Sequence, residues 1–275
     1  MKIKPKTTYI TRHVILFFIV AMSSLTCNID HGIAPLDGTL IATVHFRGEP
    51  PANTQGIYLT VAPIFPPHAI NELHHSPNSL PIDQDSVTIE LNLPMGSYQA
   101  ISLWWYNTET KSNLADVLSL PLDPTNSLRP LGFELTPSSP TYTIDLYANW
   151  DKINRDAAIE GTIYFNGPFP ENTLATAIAA FQYEPKEDVQ YLIYLKSMDF
   201  SIDSSPYKYR LPVRHGDVNY LAVYWLPERA NLTDFRTLGV YNNSSLPNQP
   251  TRIRLNENQI ISGIDIHADW SKAEP

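Results

Sequence analysis

Hydrophobic and polar residues alternate strictly near the middle of the chain and again near its end. In the stretch IDLYANWDK, the apolar residues Ile144, Leu146, Ala148 and Trp150 occupy every second position, and IDIHADWSK repeats this arrangement from Ile264. A period of two places successive side chains on opposite faces of a β-strand. The sequence therefore predicts the same half-buried strand twice, each leading to a tryptophan that fills a core.

The repetition extends over most of the chain. When the sequence is aligned with itself at an offset of 119 residues, VHFRGEPPANT (44–54) falls on IYFNGPFPENT (163–173). At an offset of 120, AISLWWY (100–106) falls on YLAVYWL (220–226). Solenoid repeats run only about 20–50 residues, so a period of this length corresponds to a whole domain. We therefore expect a duplicated domain.

Each unit consists of short alternating segments separated by turns rich in Pro and Asn. We place the first unit at residues 36–152, a linker at 153–156 and the second unit at 157–275, and residues 189–198 are a candidate extra strand. The other predicted strands are Leu40–Phe46, Ile57–Ala62, Val87–Leu93, Tyr98–Tyr106, Gly132–Leu135, Ile159–Phe165, Ala175–Phe181, Tyr207–Leu211, Val218–Leu226 and Thr251–Leu255. Six or seven short strands per unit, without a long amphipathic helix, predict an all-β fold of two tandem immunoglobulin-like β-sandwich domains.

Three motifs carry a resemblance to a known domain type. GTLIATVHFRGEPP (38–51), EGTIYFNGPFP (160–170) and LPMGSYQAI (93–101) resemble the opening strand and the turn of prealbumin-like, or carboxypeptidase-regulatory-like, domains. The tandem as a whole resembles a class of exported bacterial lipoproteins with paired domains of this kind. The resemblance implies two prealbumin-like β-sandwiches and export, and it implies no activity. LPVRHGDVNY departs from the motif by two extra residues between Pro212 and Gly216, so a longer turn is expected there.

Residues 1–26 are predicted to be a signal peptide. Four basic residues precede a short apolar run at residues 14–22, which is too short for a stable membrane span. Cys27, the one cysteine of the chain, ends the segment SSLTC, which resembles a lipobox. Cys27 is therefore the predicted lipidation site, and residues 27–35 would tether the first domain to the membrane. An ordinary cleaved signal with an incidental cysteine is the alternative.

Charge and cysteine content limit the partners. The formal net charge is −9, and removal of the signal would make it more negative by four. An acidic surface repels nucleic acid, so nucleic-acid binding is excluded. A single cysteine permits no internal disulfide, and stability must come from core packing. The expected partners are the membrane, through an N-terminal lipid anchor, and an envelope protein or a glycan, with localisation at the bacterial outer membrane or periplasm.

Catalytic and metal-binding candidates are few. HAINELHHSP contains His68, His74 and His75 with Glu72, and these side chains are suitable zinc ligands. Their spacing matches no zinc motif, so a solvated loop is favoured and these histidines are weak metal candidates. The sequence has no Gly-rich phosphate loop, G-x-S-x-G elbow or H-E-x-x-H motif. We predict a protein that is not an enzyme and has no cofactor.

Two pairs of aspartates recur in both units. Asp116 and Asp234 occupy the same position of an N-L-x-D turn, and Asp145 and Asp265 occupy the same position of the repeated strand. A residue that both copies keep is more simply explained by the fold than by a site. We expect the first pair to cap turn amides and the second to form hydrogen bonds on the strand face.

The central strand of each unit has aromatic residues on the face opposite the predicted core. These residues are Tyr98, Trp104 and Tyr106 in the first unit, and Tyr220 and Tyr224 in the second. The outer face of a sandwich strand is usually polar. An aromatic face therefore predicts a cover, which could be the other domain, a loop of the same domain, or a ligand such as a glycan stacked on the rings.

The function that follows is a non-catalytic cell-envelope lipoprotein that acts as a binding or assembly module. The first alternative is a carbohydrate-binding accessory protein that uses the aromatic face. The second is a metal-dependent hydrolase built on the three histidines.

Overall fold

Short strands form nearly all of the regular structure. The computed structural model describes residues 37–108, 113–202, 204–228, 230–231, 233–243 and 249–273. The predicted signal peptide, Cys27 and the tether lie outside these residues. Gly38–Pro275 forms one unit, and of the separate unit Met1–Asp37 only Asp37 is described. We call residues 37–152 the N-terminal half and residues 157–273 the C-terminal half.

The strands of the N-terminal half largely follow the predicted ones and add short pieces between them. They are β1 (Asp37–Arg47), β2 (Thr54–Ala62), β3 (His74–His75), β4 (Ser86–Pro94), β5 (Gly96–Tyr98), β6 (Ala100–Asn107), β7 (Val117–Ser119), β8 (Leu122–Asp123), β9 (Asn126–Pro130), β10 (Phe133–Leu135) and β11 (Thr141–Asn149). Single 3-10 turns occur at Ile70–Glu72, Leu114–Asp116 and Trp150–Lys152.

The C-terminal half has a closely similar series. Its strands are β12 (Ala157–Asn166), β13 (Thr173–Phe181), β14 (Leu195–Asp199), β15 (Tyr207–Val213), β16 (Gly216–Val218), β17 (Tyr220–Pro227), β18 (Arg236–Val240), β19 (Ile253–Leu255), β20 (Ile260–Ile261) and β21 (Ile266–Asp269). A 3-10 turn follows at Trp270–Lys272. The predicted strand at residues 189–198 is partly wrong, because its first part is the helical turn α1 (Gln190–Ile193) and only its end belongs to β14. The Gln190 side chain accepts hydrogen bonds from the backbone N–H groups of Lys186 and Glu187, which stabilises the helical turn.

The two halves share one strand arrangement. The N-terminal half has sheets of order β11-β1-β4 and β3-β2-β6-β7, with a short β5-β10 ribbon. The C-terminal half has β15-β12 extended by β20 and β21, then β14-β13-β17-β18, with a β16-β19 ribbon. In each half the last strand lies parallel to the first, β11 beside β1 and β21 beside β12. The predicted all-β fold is confirmed. The turn before β16 is also longer than the turn before β5, as expected.

The two closing tryptophans fill the cores as predicted. Trp150 is 1% exposed and Trp270 is 7% exposed. Each indole stacks on a phenylalanine of the first strand, with ring centroids 5.8 Å apart for Phe46 and Trp150 and 4.4 Å apart for Phe165 and Trp270. Each tryptophan begins a 3-10 turn instead of ending a strand, because the preceding Asn149 or Asp269 side chain caps that turn.

The recurring aspartates have the structural roles expected of them. Asp116 Oδ2 accepts a hydrogen bond from the N–H of Asn113 at 2.8 Å, and Asp234 Oδ2 accepts one from Asn231 at 2.8 Å. Asp265 accepts a hydrogen bond from the N–H of Thr162 at 2.8 Å. The turn and strand-face roles that the sequence predicts for these three residues are therefore confirmed. At the fourth position, Asp145 Oδ1 lies 3.1 Å from His45 Nε2 on the same sheet face.

An exposed ring stack also recurs in both halves, and the sequence alignment does not reveal it. His45 of β1 stacks on Tyr147 of β11 with centroids 5.2 Å apart, and Tyr164 of β12 stacks on His267 of β21 at 5.3 Å. The two residue types have exchanged strands between the copies. Cross-strand ring pairs of this kind stabilise neighbouring strands by about 0.2–1 kcal/mol. The stack therefore helps to hold each closing strand in register.

Among the described residues, no helix has the length and hydrophobicity needed to cross a lipid bilayer.

Candidate functional site

Most of the aromatic face lies inside the protein. Trp104, Tyr220 and Tyr224 are each at most 6% exposed and belong to one apolar cluster that joins the two halves, which we call the interface cluster. Its buried members are Trp104, Leu114, Ala115, Val117, Ala177, Ala179, Phe181, Leu192, Leu195, Met198, Tyr220, Ala222 and Tyr224. Tyr106 is half-buried and packs against the cluster. The cover is therefore the chain itself, which leaves Trp104 5% exposed.

Tyr98 lies in a different place from the other four rings. It belongs to the core of the N-terminal half, where its ring stacks on Phe133 at 5.0 Å and its hydroxyl donates a hydrogen bond to the carbonyl of Pro94 at 2.7 Å. The strand breaks at Gln99, between β5 and β6, and the N–H of Gln99 bonds to the carbonyl of Ala62. β6 pairs with β2, whereas β5 pairs with β10. The alternation of side chains between the two faces of β6, counted from Trp104, therefore does not continue to Tyr98 in β5.

The histidines of HAINELHHSP do not form a metal-binding group. His74 and His75 are successive residues of β3 and therefore point to opposite faces. The His74 ring meets Tyr98 edge-on at 5.8 Å, whereas His75 Nδ1 lies 2.9 Å from the carbonyl oxygen of Ser76. Within the described ranges, three side chains with metal-ligating atoms do lie close together in another part of the protein. That group contains none of these histidines.

That group consists of Asp156, His215 and Glu257. Their ligating atoms lie within 4.8 Å of one another, but His215 already occupies both oxygens of Asp156. Its backbone N–H donates to Oδ1 at 2.9 Å and its Nδ1 lies 2.7 Å from Oδ2. Burial tends to raise the pKa of Asp156, but the hydrogen bonds from His215 outweigh burial and leave the pKa lowered. The two contacts between His215 and Asp156 therefore account for the position of these side chains, and they fix the chain at the start of β12.

A cleft of about 920 Å³ opens where the two halves and the linker meet. The N-terminal half contributes the β1–β2 turn and Trp105, the linker contributes 153–155, and the C-terminal half contributes the end of β14 and part of β15. The lining residues are Pro51, Ala52, Asn53, Trp105, Asn113, Ile153, Asn154, Arg155, Ser197, Met198, Asp199, Phe200, Ser201, Arg210, Leu211 and Pro212. A volume near 1,000 Å³ at a junction between structural units is typical of small-molecule binding sites.

Arg155 of the linker lines this cleft and is held by a buried partner. Its Nη2 donates a hydrogen bond at 2.7 Å to Oδ1 of Asp116, which is fully buried. Its guanidinium carbon also lies 5.6 Å from the ring centre of Trp105, a cation–π distance. Among the described residues, Arg155 Nε has no hydrogen-bond partner. Burial raises the pKa of Asp116, although the guanidinium and the Asn113 N–H oppose the shift.

The C-terminal half reproduces part of this arrangement with a different arginine. Trp225 lies under Arg236, with the guanidinium carbon 5.5 Å from the ring centre. In both halves the indole N–H donates to a threonine, from Trp105 to Thr54 at 3.0 Å and from Trp225 to Thr173 at 2.7 Å. Arg236 lies on β18 and Arg155 in the linker, so the alignment of the repeats does not match them.

The remaining charges of the cleft are also accounted for. Arg210 Nη1 donates to Glu160 Oε1 at 2.5 Å. Asp199 Oδ1 accepts hydrogen bonds from the N–H of Ser201 at 3.0 Å and from its hydroxyl at 2.6 Å. Both arginines thus have carboxylate partners, and Asp199 is the acidic residue of the lining. The sequence does not predict this site, because its residues come from six separate segments of the chain.

Comparison with known proteins gives no family for the chain. No protein family matches the sequence, and no curated protein does.

Several solved structures match the chain at low similarity. A leucine-rich repeat protein from Bacteroides thetaiotaomicron matches with 11% identity and a TM-score of 0.31, over 85% of this chain and 26% of that chain. The Bacillus anthracis TIE protein matches with 15% identity and a TM-score of 0.22, over 84% of this chain and 34% of that chain. A streptococcal ancillary pilin matches with 10% identity and a TM-score of 0.24, over 86% of this chain and 63% of that chain. This chain spans less than two thirds of each of these proteins, and similarities this low carry no argument about function.

Proposed function

We propose that this protein is a non-catalytic binding module of the cell envelope that holds its ligand in the cleft between its two halves. The observation that carries the proposal is the cleft itself, a cavity of about 920 Å³ whose lining includes Arg155, held in place by an ion pair with the buried Asp116. A polar group held rigidly before the ligand arrives costs little ordering entropy on binding. We also propose that the two halves, with their matching strand orders, are two copies of one domain.

The chemistry of the cleft supports binding without catalysis. General acid–base catalysis needs a side chain that exchanges a proton near neutral pH. Arginine stays protonated in proteins, so neither Arg155 nor Arg210 can serve. Ser197 of the lining is buried, and apart from the single carboxylate of Asp199 and the hydroxyl of Ser201 the described lining has no acid, base or exposed nucleophile. The two residues share a hydrogen bond within one loop, without the base and the orienting group that activate a serine nucleophile.

A cleft-filling substitution tests the binding role. Ala52 is an exposed residue of the lining, and Ala52→Trp would place an indole in the cavity. Ser138→Trp adds the same exposed ring outside the lining and is the matched control. Thermal unfolding is followed for all three proteins with a panel of oligosaccharides, amino acids and short peptides. We expect at least one compound to raise the Tm of the wild type and of Ser138→Trp but not of Ala52→Trp. Stabilisation that survives Ala52→Trp, or no stabilisation by any compound, would overturn the proposal.

The proposed location rests on the N-terminal sequence. We propose that the chain is exported and anchored through a lipid on Cys27, supported by the basic residues and the apolar run that precede it. Mass spectrometry of the protein from its native membrane fraction would find a diacylated N-terminal Cys27. A mature N-terminus at another residue, or an unmodified Cys27, would remove the anchor from the proposal.

A further inference from the structure

We propose that the ligand of the cleft is a neutral oligosaccharide. This inference rests on the proposed function and adds the chemical class of the ligand. It depends on three properties of the lining, which are its charge balance, its hydrogen-bonding groups and one exposed aromatic ring.

The charge balance disfavours an anionic ligand. Arg155 is paired with Asp116 at 2.7 Å and Arg210 with Glu160 at 2.5 Å. A carboxylate thus already balances the charge of each arginine of the lining, and Asp199 adds a negative charge that would repel a ligand carboxylate or phosphate. Proteins that recognise such anions instead present an arginine free to form two parallel hydrogen bonds. A neutral ligand avoids this repulsion.

The hydrogen-bonding groups suit a ligand rich in hydroxyls. Each hydroxyl both donates and accepts, so a sugar needs acceptors and donors side by side. Asp199 supplies a carboxylate, with Ser201 on Oδ1. Arg210 supplies donors, since its side chain is largely exposed and its fork has five N–H groups. Asn154 of the same lining is exposed and supplies both donors and an acceptor. Donors and acceptors present together in one lining can bind the neighbouring hydroxyl groups of a sugar ring.

One aromatic ring is available for the apolar face of a sugar. Phe200 is 38% exposed and lies in the lining directly after Asp199. Trp105, the other aromatic ring of the lining, is buried and lies beneath the Arg155 guanidinium. A pyranose ring has one face of C–H groups that packs on an aromatic ring, while its hydroxyls point outward to polar groups. Phe200 and Asp199 offer these two kinds of contact from adjacent residues.

The experiment measures binding of three classes of probe by isothermal titration calorimetry. The probes are neutral hexasaccharides of glucose, mannose and xylose, an oligogalacturonate as the anion and spermidine as the cation. We expect a neutral hexasaccharide to bind the wild type, and Phe200→Ala to weaken that binding at least ten-fold. Tyr183→Ala is the matched control, because Tyr183 is 53% exposed and lies outside the lining. It should leave the affinity unchanged.

The outcomes separate the ligand class from the binding role. Binding of the oligogalacturonate or of spermidine alone, abolished by Ala52→Trp, would overturn the neutral oligosaccharide and keep the cleft as the binding site. Equal affinities of Phe200→Ala and the wild type for a neutral hexasaccharide would overturn the contact with Phe200 and with it the inference. If no probe of any class bound in a manner sensitive to Ala52→Trp, the neutral oligosaccharide would be overturned, and the proposed function would fail as well only if no amino acid or peptide of the thermal unfolding panel stabilised the protein.

Discussion

Two consecutive tryptophans in β6 have opposite surroundings. The Trp105 side chain points into the core of the N-terminal half and its indole N–H bonds to Thr54, whereas the Trp104 side chain points into the interface cluster. Among the described residues, Trp104 Nε1 has no hydrogen-bond partner. A buried donor without a partner costs free energy in the folded state. The indole N–H therefore contributes to the stability of the folded state at Trp105 and lowers it at Trp104.

This difference predicts different effects of one substitution. Tryptophan to phenylalanine removes a similar volume at either position, but only Trp105→Phe also breaks a hydrogen bond. We expect Trp105→Phe to lower the free energy of unfolding by about 1 kcal/mol more than Trp104→Phe. Urea unfolding followed by circular dichroism measures both values. Equal losses would show that the indole N–H of Trp105 contributes nothing net.

The ion pair of Arg155 and Asp116 attaches the linker to the N-terminal half. Asp116 is fully buried, and its Oδ2 is already used to cap the 3-10 turn. Removal of one partner of a buried pair leaves the other charge without compensation. Removal of both charges together avoids that penalty.

We predict a non-additive double mutant at this pair. Arg155→Met should lower the free energy of unfolding by about 3–5 kcal/mol, because Asp116 then remains buried without a counterion. Arg155→Met combined with Asp116→Asn should be more stable than Arg155→Met alone, since the asparagine oxygen can still cap the turn. Chemical denaturation of the two variants and the wild type gives the comparison. A double mutant less stable than Arg155→Met would contradict this account of the pair.

At the scale of elements, Lys196 connects an edge strand to a turn of the opposite sheet. It lies on β14, and its ammonium group donates to the carbonyl oxygens of His215 and Asp217 at 3.0 and 3.1 Å. Burial, with a smaller contribution from Arg214, lowers the pKa of Lys196 to about 8. Burial likewise lowers the pKa of Lys152 to about 8.

A lowered lysine pKa makes stability rise with pH in the alkaline range. Between about pH 8 and 10 the unfolded chain binds more protons than the folded protein, because an unperturbed lysine has a pKa of about 10.4. The free energy of unfolding should therefore increase from pH 8 to pH 9.5, by about 1.5 kcal/mol for Lys196. In Lys196→Met, the free energy of unfolding should rise less steeply with pH, because only the contribution of Lys152 remains. Urea midpoints across this range supply the measurement, and identical slopes would refute the pKa assignment.

At the scale of the whole molecule, the two halves share an apolar core in addition to their own cores. The facing residues of the C-terminal half include Ala177, Ala179 and Ala222, whose small side chains let the rings of the interface cluster approach closely. Interfaces between independent domains of one chain are usually more polar. The halves should therefore depend on each other for stability even though each has the strands of a complete sandwich.

This arrangement predicts one cooperative transition for the full chain. Far-UV circular dichroism and tryptophan fluorescence should give the same urea midpoint in the wild type. Ala179→Glu places a charge in the interface cluster and should separate the halves, so that two transitions appear. Exposed Ser138→Glu, outside the cluster, is the control and should keep one transition. Two transitions in the wild type would mean that the interface contributes little stability.

The sequence by itself determined the features that depend on neighbouring residues and on their repetition. Alternation at Ile144–Trp150 and Ile264–Trp270 gave the closing strands and the buried tryptophans, and the N-L-x-D turns gave the caps of Asp116 and Asp234. The tertiary structure decided what covers Trp104, where the strand breaks before β6, and which residues line the cleft. Local periodicity reports which face of a strand is apolar, but not which distant segment packs on that face. The contact of Arg155 with Asp116 joins residues 39 positions apart, and only the packing of the two halves brings Trp105 and Phe200 to the same cleft.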